Sequence, residues 1–182
     1  MRVLGIDPGS RMTGWGVVEG LGERMTHVGS GTIVLETSVP LGIRLARLYA
    51  ACLRLVDEWS PAALVLERNF VARNVQSAFR LGEARGAVLA AAGTTGIALH
   101  QYAPATVKLA AVGHGQADKR AVGRGVALRL RLTRAPAPDA ADALALALCH
   151  LHQAPLVARI ASAMLAQAQP RMWDRRARER GA

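Results

Sequence analysis

The sequence predicts an α/β domain built on one mixed five-stranded sheet flanked by helices on both faces. Three observations carry this reading. Strand-like stretches at residues 2–7, 13–20 and 25–36 follow one another through short turns, an antiparallel start. Beyond them, segments of helical periodicity alternate with short apolar runs. Two of the apolar runs, at 2–7 and 62–66, lack polar alternation and so suit central strands covered on both sides.

Each element has its own justification. Val3, Leu4 and Ile6 form a buried strand that ends in Asp7, where Pro8-Gly9 turns the chain. Ser10, Thr13 and Gly14 lead into Trp15 to Val18, the second arm of a hairpin. Leu41 to Trp59 is helical, with Leu45, Leu48, Cys52, Leu55 and Val56 on one face, and Ser60-Pro61 ends it. Ala62 to Leu66 is a buried strand closed by Glu67. Residues 74–95 form a long helix and Ile97 to Tyr102 a fifth strand. A helix at about 104–111, a Gly-rich loop, a helix at about 117–130 and a last helix at about 138–153 complete the chain, with no internal repeat.

Length and charge bound the function. The 182 residues suffice for one domain, residues 1–153, followed by a basic tail at 154–182 expected to be disordered. No apolar run approaches the ~20 residues of a membrane helix, and no signal-peptide pattern opens the chain. Cys52 and Cys149 form no CxxC, so they read as buried thiols of a reducing compartment, the cytoplasm. The net charge of +10 points to nucleic acid as partner. The tail from Pro155 holds six Arg against two acids, +4, so the remainder keeps +6.

Four acids break the apolar pattern. Asp7 alone reads as a turn aspartate, but Glu67 repeats the anomaly at the end of a second core strand. Asp139 and Asp142, spaced i, i+3 in PDAADALALAL, project from one face of a helix that is otherwise apolar. Asp139 by itself suits a helix start. Asp142 lies among residues that should be buried, where a charge needs a partner. Adjacent parallel strands end on the same side of a sheet, where open α/β sheets place their sites. Carboxylates crowded there repel, and divalent metal relieves them. In a basic protein this pattern points to metal-dependent phosphodiester chemistry.

GIDPGSRMTGWGV, LVLERNFVARNVQSAFRLGEARG, QYAPATVKLAAVGHGQADK and PDAADALALALCH resemble RuvC, the family of Holliday-junction resolving endonucleases of bacterial recombination, over residues 1–153. The resemblance implies a ribonuclease H-like fold, a homodimer and a need for Mg²⁺, two ions per site, with Mn²⁺ able to substitute. It places the family's catalytic, metal-binding acids on Asp7, Glu67, Asp139 and Asp142. It implies two-metal hydrolysis to 5′-phosphate and 3′-hydroxyl ends, with Asp7 bridging both ions. Glu67 and Asp142 then serve one ion each, and Asp139 supports the second. The implied partners are a four-way DNA junction and the RuvA/RuvB branch-migration complex, in recombination and repair.

Other residues take roles in the same frame. Phe70 sits just beyond Glu67, and the resemblance suggests insertion beside an unstacked junction base. Phe79, within a helix, reads as core. Lys108 and Lys119, the only lysines among 23 basic residues, match family lysines near the DNA backbone. Arg73, Arg80 and Arg120 are candidate phosphate contacts. His114 reads as a loop histidine, and His150 and His152 as cations closing the last helix. Gly82, Gly86 and Ala90 form a small-residue ridge suited to a dimer interface. Two rival classes are weaker. An actin-like or sugar-kinase ATPase needs a second lobe, and a non-catalytic junction binder leaves the acids without a purpose.

Overall fold

In the computed structural model, which describes residues 1–21, 24–68 and 75–168, three strands open the chain. They are β1 (Arg2–Asp7), β2 (Met12–Leu21) and β3 (Arg24–Val34). Helix α1 (Leu41–Trp59), strand β4 (Ala63–Glu67), helix α2 (Val75–Thr95) and strand β5 (Ala98–Tyr102) follow. Helices α3 (Pro104–Val112), α4 (Lys119–Arg129) and α5 (Pro138–Ala168) end the described chain. The sheet order is β3-β2-β1-β4-β5. β1 pairs antiparallel with β2 and parallel with β4, and β5 lies parallel to β4. The chain divides into two compact units, Met1–His152 and Gln153–Ala182.

Strand alternation sorts the core into two layers. Leu4, Ile6, Leu64 and Leu66 join Leu48, Cys52 and Leu55 of α1 and Ala84, Val88 and Ala91 of α2 on one face. Val3 and Val65 join Val107 of α3, Val126 of α4 and Leu144, Leu146 and Leu148 of α5 on the other. Asp7 shares the parity of Val3, and Glu67 that of Val65. Both acids therefore project to the α5 side.

Glycines set how closely α5 approaches. A methyl group on Gly5 would run into the carbonyl oxygen of Ala143, and one on Gly14 into that of Asp139. Only hydrogen at these two positions lets the first turns of α5 lie on β1 and β2. Thr13, fully buried, ties the turn between those strands, accepting from Gly9 N–H at 3.3 Å.

Three expectations need correction. The last helix does not stop near 153 but runs to Ala168, with Pro155 inside it, so residues 154–168 of the supposed disordered tail are helical. The Ala-rich stretch after Pro155 has high helix propensity, which outweighs the missing donor. His150 does not cap a helix end. It is buried beneath β5, where Nδ1 meets the Tyr102 hydroxyl at 2.8 Å and the ring lies 4.3 Å from that of His100. Burial, then the field of His100, lowers its pKa to about 4, so it is neutral. Phe79 is not core but 69% exposed, because α2 turns a different face, Ala84, Val88 and Ala91, to the sheet.

Gly5→Ala tests the glycine contact. It should cost roughly 1–3 kcal/mol, the usual penalty for overpacking, measured by urea unfolding. Unchanged stability would mean that α5 does not rest on β1.

Candidate active site

The register brings the acids together. Ile6 of β1 pairs with Leu66 of β4, so Asp7 and Glu67 follow as neighbours at the carboxyl ends of adjacent parallel strands. Asp142 comes in from the first turns of α5, held there by the glycine contacts. Asp7, Glu67 and Asp142 line one cleft of about 200 Å³ together with Lys108 of α3 and Lys119 of α4. Asp139, one turn before Asp142 on α5, is outside that lining but close enough for its charge to act on Asp7.

The electrostatics follow from this crowding. Burial, then the negative charges of Asp142 and Glu67, pushes the Asp7 pKa up to about 7, against a lesser opposing effect of Lys119. Glu67 is also raised, first by burial and then by Asp142, while Lys119, Lys108 and Arg85 oppose the shift. Lys119 Nζ donates to Asp142 Oδ2 at 3.1 Å, and that bond raises the lysine pKa. Asp7, the most enclosed acid, has no ion pair of its own among the described residues.

The donor set suits a hard divalent cation, since every converging acid offers oxygen. As placed, no three of the described acids, histidines or cysteines stand close enough to share one ion, and Lys119 holds Asp142. A cation shared by Asp142 and the two strand acids would call for the Lys119–Asp142 pair to part, whereas one held by Asp7 and Glu67 with water would not. Replacement of one lysine charge by a dication is the exchange that the raised Asp7 and Glu67 favour.

The remaining candidates are dispersed. Arg120 lies beside Lys119 on α4, lining an adjoining cleft. Arg80 lies on α2, in a small cleft with Ser10 and Arg44 that none of the four acids lines. Gly82, Gly86 and Ala90 line an exposed side of α2, where a Cβ on either glycine meets nothing within 4 Å. His114 is an exposed turn residue after α3. Phe70 and Arg73 lie outside the described residues.

Arg85 was not singled out by sequence. Its guanidinium donates to the Glu67 carbonyl at 2.6 Å and to Gln101 Oε1 at 2.7 Å, clamping the ends of β4 and β5. An arginine among small apolar residues of α2 was the available signal.

A mixed sheet of this order, with acids at the ends of its central strands and on the crossing helix, is the ribonuclease H-like arrangement. Known proteins narrow the class. The crossover junction endodeoxyribonuclease RuvC family matches residues 3–150. The RuvC protein of Alkalilimnicola ehrlichii is 52% identical over 159 residues, 87% of this chain and 96% of that one. The structure of T. thermophilus RuvC in complex with Holliday junction substrate superposes with a TM-score of 0.82 at 36% identity, covering 86% of this chain and 96% of that one. The yeast mitochondrial Holliday junction resolvase Ydc2 shares the fold, with a TM-score of 0.59 at 16% identity over 86% of this chain and 82% of its own. The chain belongs to the RuvC family.

The Asp7 shift gives a pH test. A carboxyl whose folded pKa is raised loses stability as pH climbs from its ordinary value, 3.8, through about 7. Asp7→Asn removes that loss. Without metal, it should melt higher than the unmodified protein at pH 8, and the gap should shrink toward pH 4. An Asp7→Asn protein less stable at pH 8 would show that the carboxylate supports the fold.

Proposed function

We propose that this chain resolves four-way DNA junctions by divalent-metal-dependent hydrolysis of phosphodiesters, leaving 5′-phosphate and 3′-hydroxyl ends for recombination and repair. The observation that carries the reading is the convergence of Asp7, Glu67 and Asp142 with Lys108 and Lys119 in one cleft of a strongly basic chain. Family membership supplies the substrate. Mg²⁺ is the metal of this reading, with Mn²⁺ able to replace it.

Asp7, Glu67, Asp142 and Asp139 would hold the metal, with Asp7 central because it feels the charges of all three others. When bound, the metal supplies a more acidic water and charge neutralisation at the departing 3′ oxygen. The chain's own residues do the positioning. Lys108 and Lys119 line the same cleft as the acids, so a phosphodiester drawn in by them would meet the carboxylates. Lys119, once parted from Asp142, is free to donate to a phosphate oxygen. Arg85 fixes the backbone that carries Glu67.

A junction has two strands to cut, and one chain offers one acid set, so resolution calls for a two-fold dimer. The exposed side of α2 supports this. Gly82 and Gly86 leave room for a close helix, and the exposed Phe79 stands one turn before Gly82. Phe70 and Arg73 remain candidates for the junction centre, and Arg80 and Arg120 for phosphate contacts. Cooperation with the RuvA/RuvB branch-migration complex rests on family membership. A cytoplasmic setting is supported by two buried, unpaired thiols, Cys52 and Cys149.

Asp7→Asn separates chemistry from recognition. Junction affinity in EDTA should hold or tighten, because a repulsive charge is gone. Single-turnover cleavage in Mg²⁺ should fall at least ~10³-fold, the scale of losing a key electrostatic group. Near-normal cleavage would remove Asp7 from the site. For the dimer, Gly86→Leu should raise the dissociation constant in ultracentrifugation and cost paired incision more than single nicks. An unmodified protein that sediments as a monomer at micromolar concentration would end the dimer proposal.

A further inference from the structure

A second cleft, of about 350 Å³, adjoins the catalytic one. Lys119 and Asp142 line both, so their ion pair borders the two clefts. The far cleft has two kinds of lining. Pro136 and Pro138, with Ala141 of α5, supply apolar lining. Arg120 and Arg124 of α4 line it as well.

Three features point to what it holds. Arg120 and Arg124 are i, i+4 on one helix face, so their guanidinium groups are neighbours. Neither has an ion pair with a described carboxylate, and Asp118 beside them is engaged by the Ala121 N–H at 2.7 Å. Two adjacent like charges on a helix cost stability, and a shared anion relieves them. Gly123 also lines the cleft, and an added Cβ there would have only the Ala141 Cβ, at 4.0 Å, within reach. The missing side chain leaves open space beside the two arginines. An anion joined to a partly apolar body, in a cleft that Asp142 itself borders, has the chemistry of a nucleotide.

We propose that this cleft seats the nucleotide adjoining the scissile phosphate on the cut strand. Arg120 and Arg124 hold its phosphate, and the apolar lining of Pro136 and Pro138 takes its sugar and base. The site rests on the nuclease reading above and adds a positioning contact to it. It acts by fixing the strand, so that the phosphodiester next in line lies over Asp7 and Asp142. Arg124 is its main discriminating residue, because Arg120 also borders Lys119 and the general phosphate track.

The test is a neutral-phosphate scan. Junctions carrying one methylphosphonate at each position flanking the cut are cleaved under single-turnover conditions in Mg²⁺ by the unmodified protein and by Arg124→Ala. Arg124→Ala should slow cleavage of the plain junction on the order of 10-fold, as expected for one charged hydrogen bond. One neutral position, next to the cut, should slow the unmodified protein by a similar factor and leave Arg124→Ala no slower. Arg124→Lys should recover part of the rate, since one charge remains without the fork. If the two losses multiply at every position, Arg124 acts through bulk attraction and the proposal fails. A rate for Arg124→Ala equal to that of the unmodified protein overturns it as well. Gly123→Leu checks the open space independently. It should melt no lower, because Leu is the better helix former, yet cleave more slowly, and full-speed cleavage by a folded Gly123→Leu contradicts the proposal. An unmodified protein that makes no nicks in the plain junction overturns the nuclease reading itself, a separate result.

Discussion

Asp7 is held in a position that electrostatics opposes. Its carboxylate is enclosed at the end of the central strand, with the fields of Asp142, Glu67 and Asp139 all acting against its ionisation. Lys119 offsets part of this, but its direct bond goes to Asp142. Much of the structure around the cleft can be understood as keeping that unfavourable cluster in place. A carboxyl with a pKa near 7 is a poor structural device and a good receptor for a dication. On the proposed reading, that cost is borne in the metal-free state and a bound dication would reverse it.

What holds the cluster is packing rather than polar bonding. The α5 helix contributes Asp139 and Asp142 from its first two turns, which rest on the sheet through Gly5 and Gly14. Beyond it, Leu144, Leu146 and Leu148 anchor the helix in one core layer. On the other layer, α1 and α2 back the same strands, and Arg85 of α2 secures the end of β4 from behind. The site is thus braced from both faces of the sheet. The basic residues stand on α3 and α4, elements separate from those that carry the acids. The two sets are nonetheless coupled, because Lys119 bonds Asp142 directly and both lysines act on the charge of Glu67.

The acids were legible in the sequence because each broke a pattern with a physical meaning. Asp7 and Glu67 occupied apolar positions at strand ends, and their parity with Val3 and Val65 is what sends both to the α5 side. Asp142 stood among residues that only a buried helix explains. The features that were not legible depended on facts a single chain does not display. Phe79 looks like core by type, yet the side of α2 that meets the sheet is chosen by alanines and a valine, whose small size allows close packing. His150 looked like a cation at a helix end because the last helix was expected to stop near 153. The helix continues, and burial against Tyr102 and His100 makes that histidine neutral. The cleft lined by Arg124 joins residues from α4, a proline-rich turn and α5, and no sequence spacing reveals such a junction.

The central claim is that the carboxylates' mutual repulsion is relieved by a divalent cation. Thermal unfolding at pH 8 with and without millimolar Mg²⁺ tests it most directly, on the unmodified protein and on Glu67→Gln. A ligand that binds only the folded state stabilises it by RT ln(1 + [L]/Kd), so the melting point rises with ligand concentration. Mg²⁺ should raise the midpoint of the unmodified protein clearly and that of Glu67→Gln much less. Equal shifts in the two proteins, or no shift in either, would contradict the account.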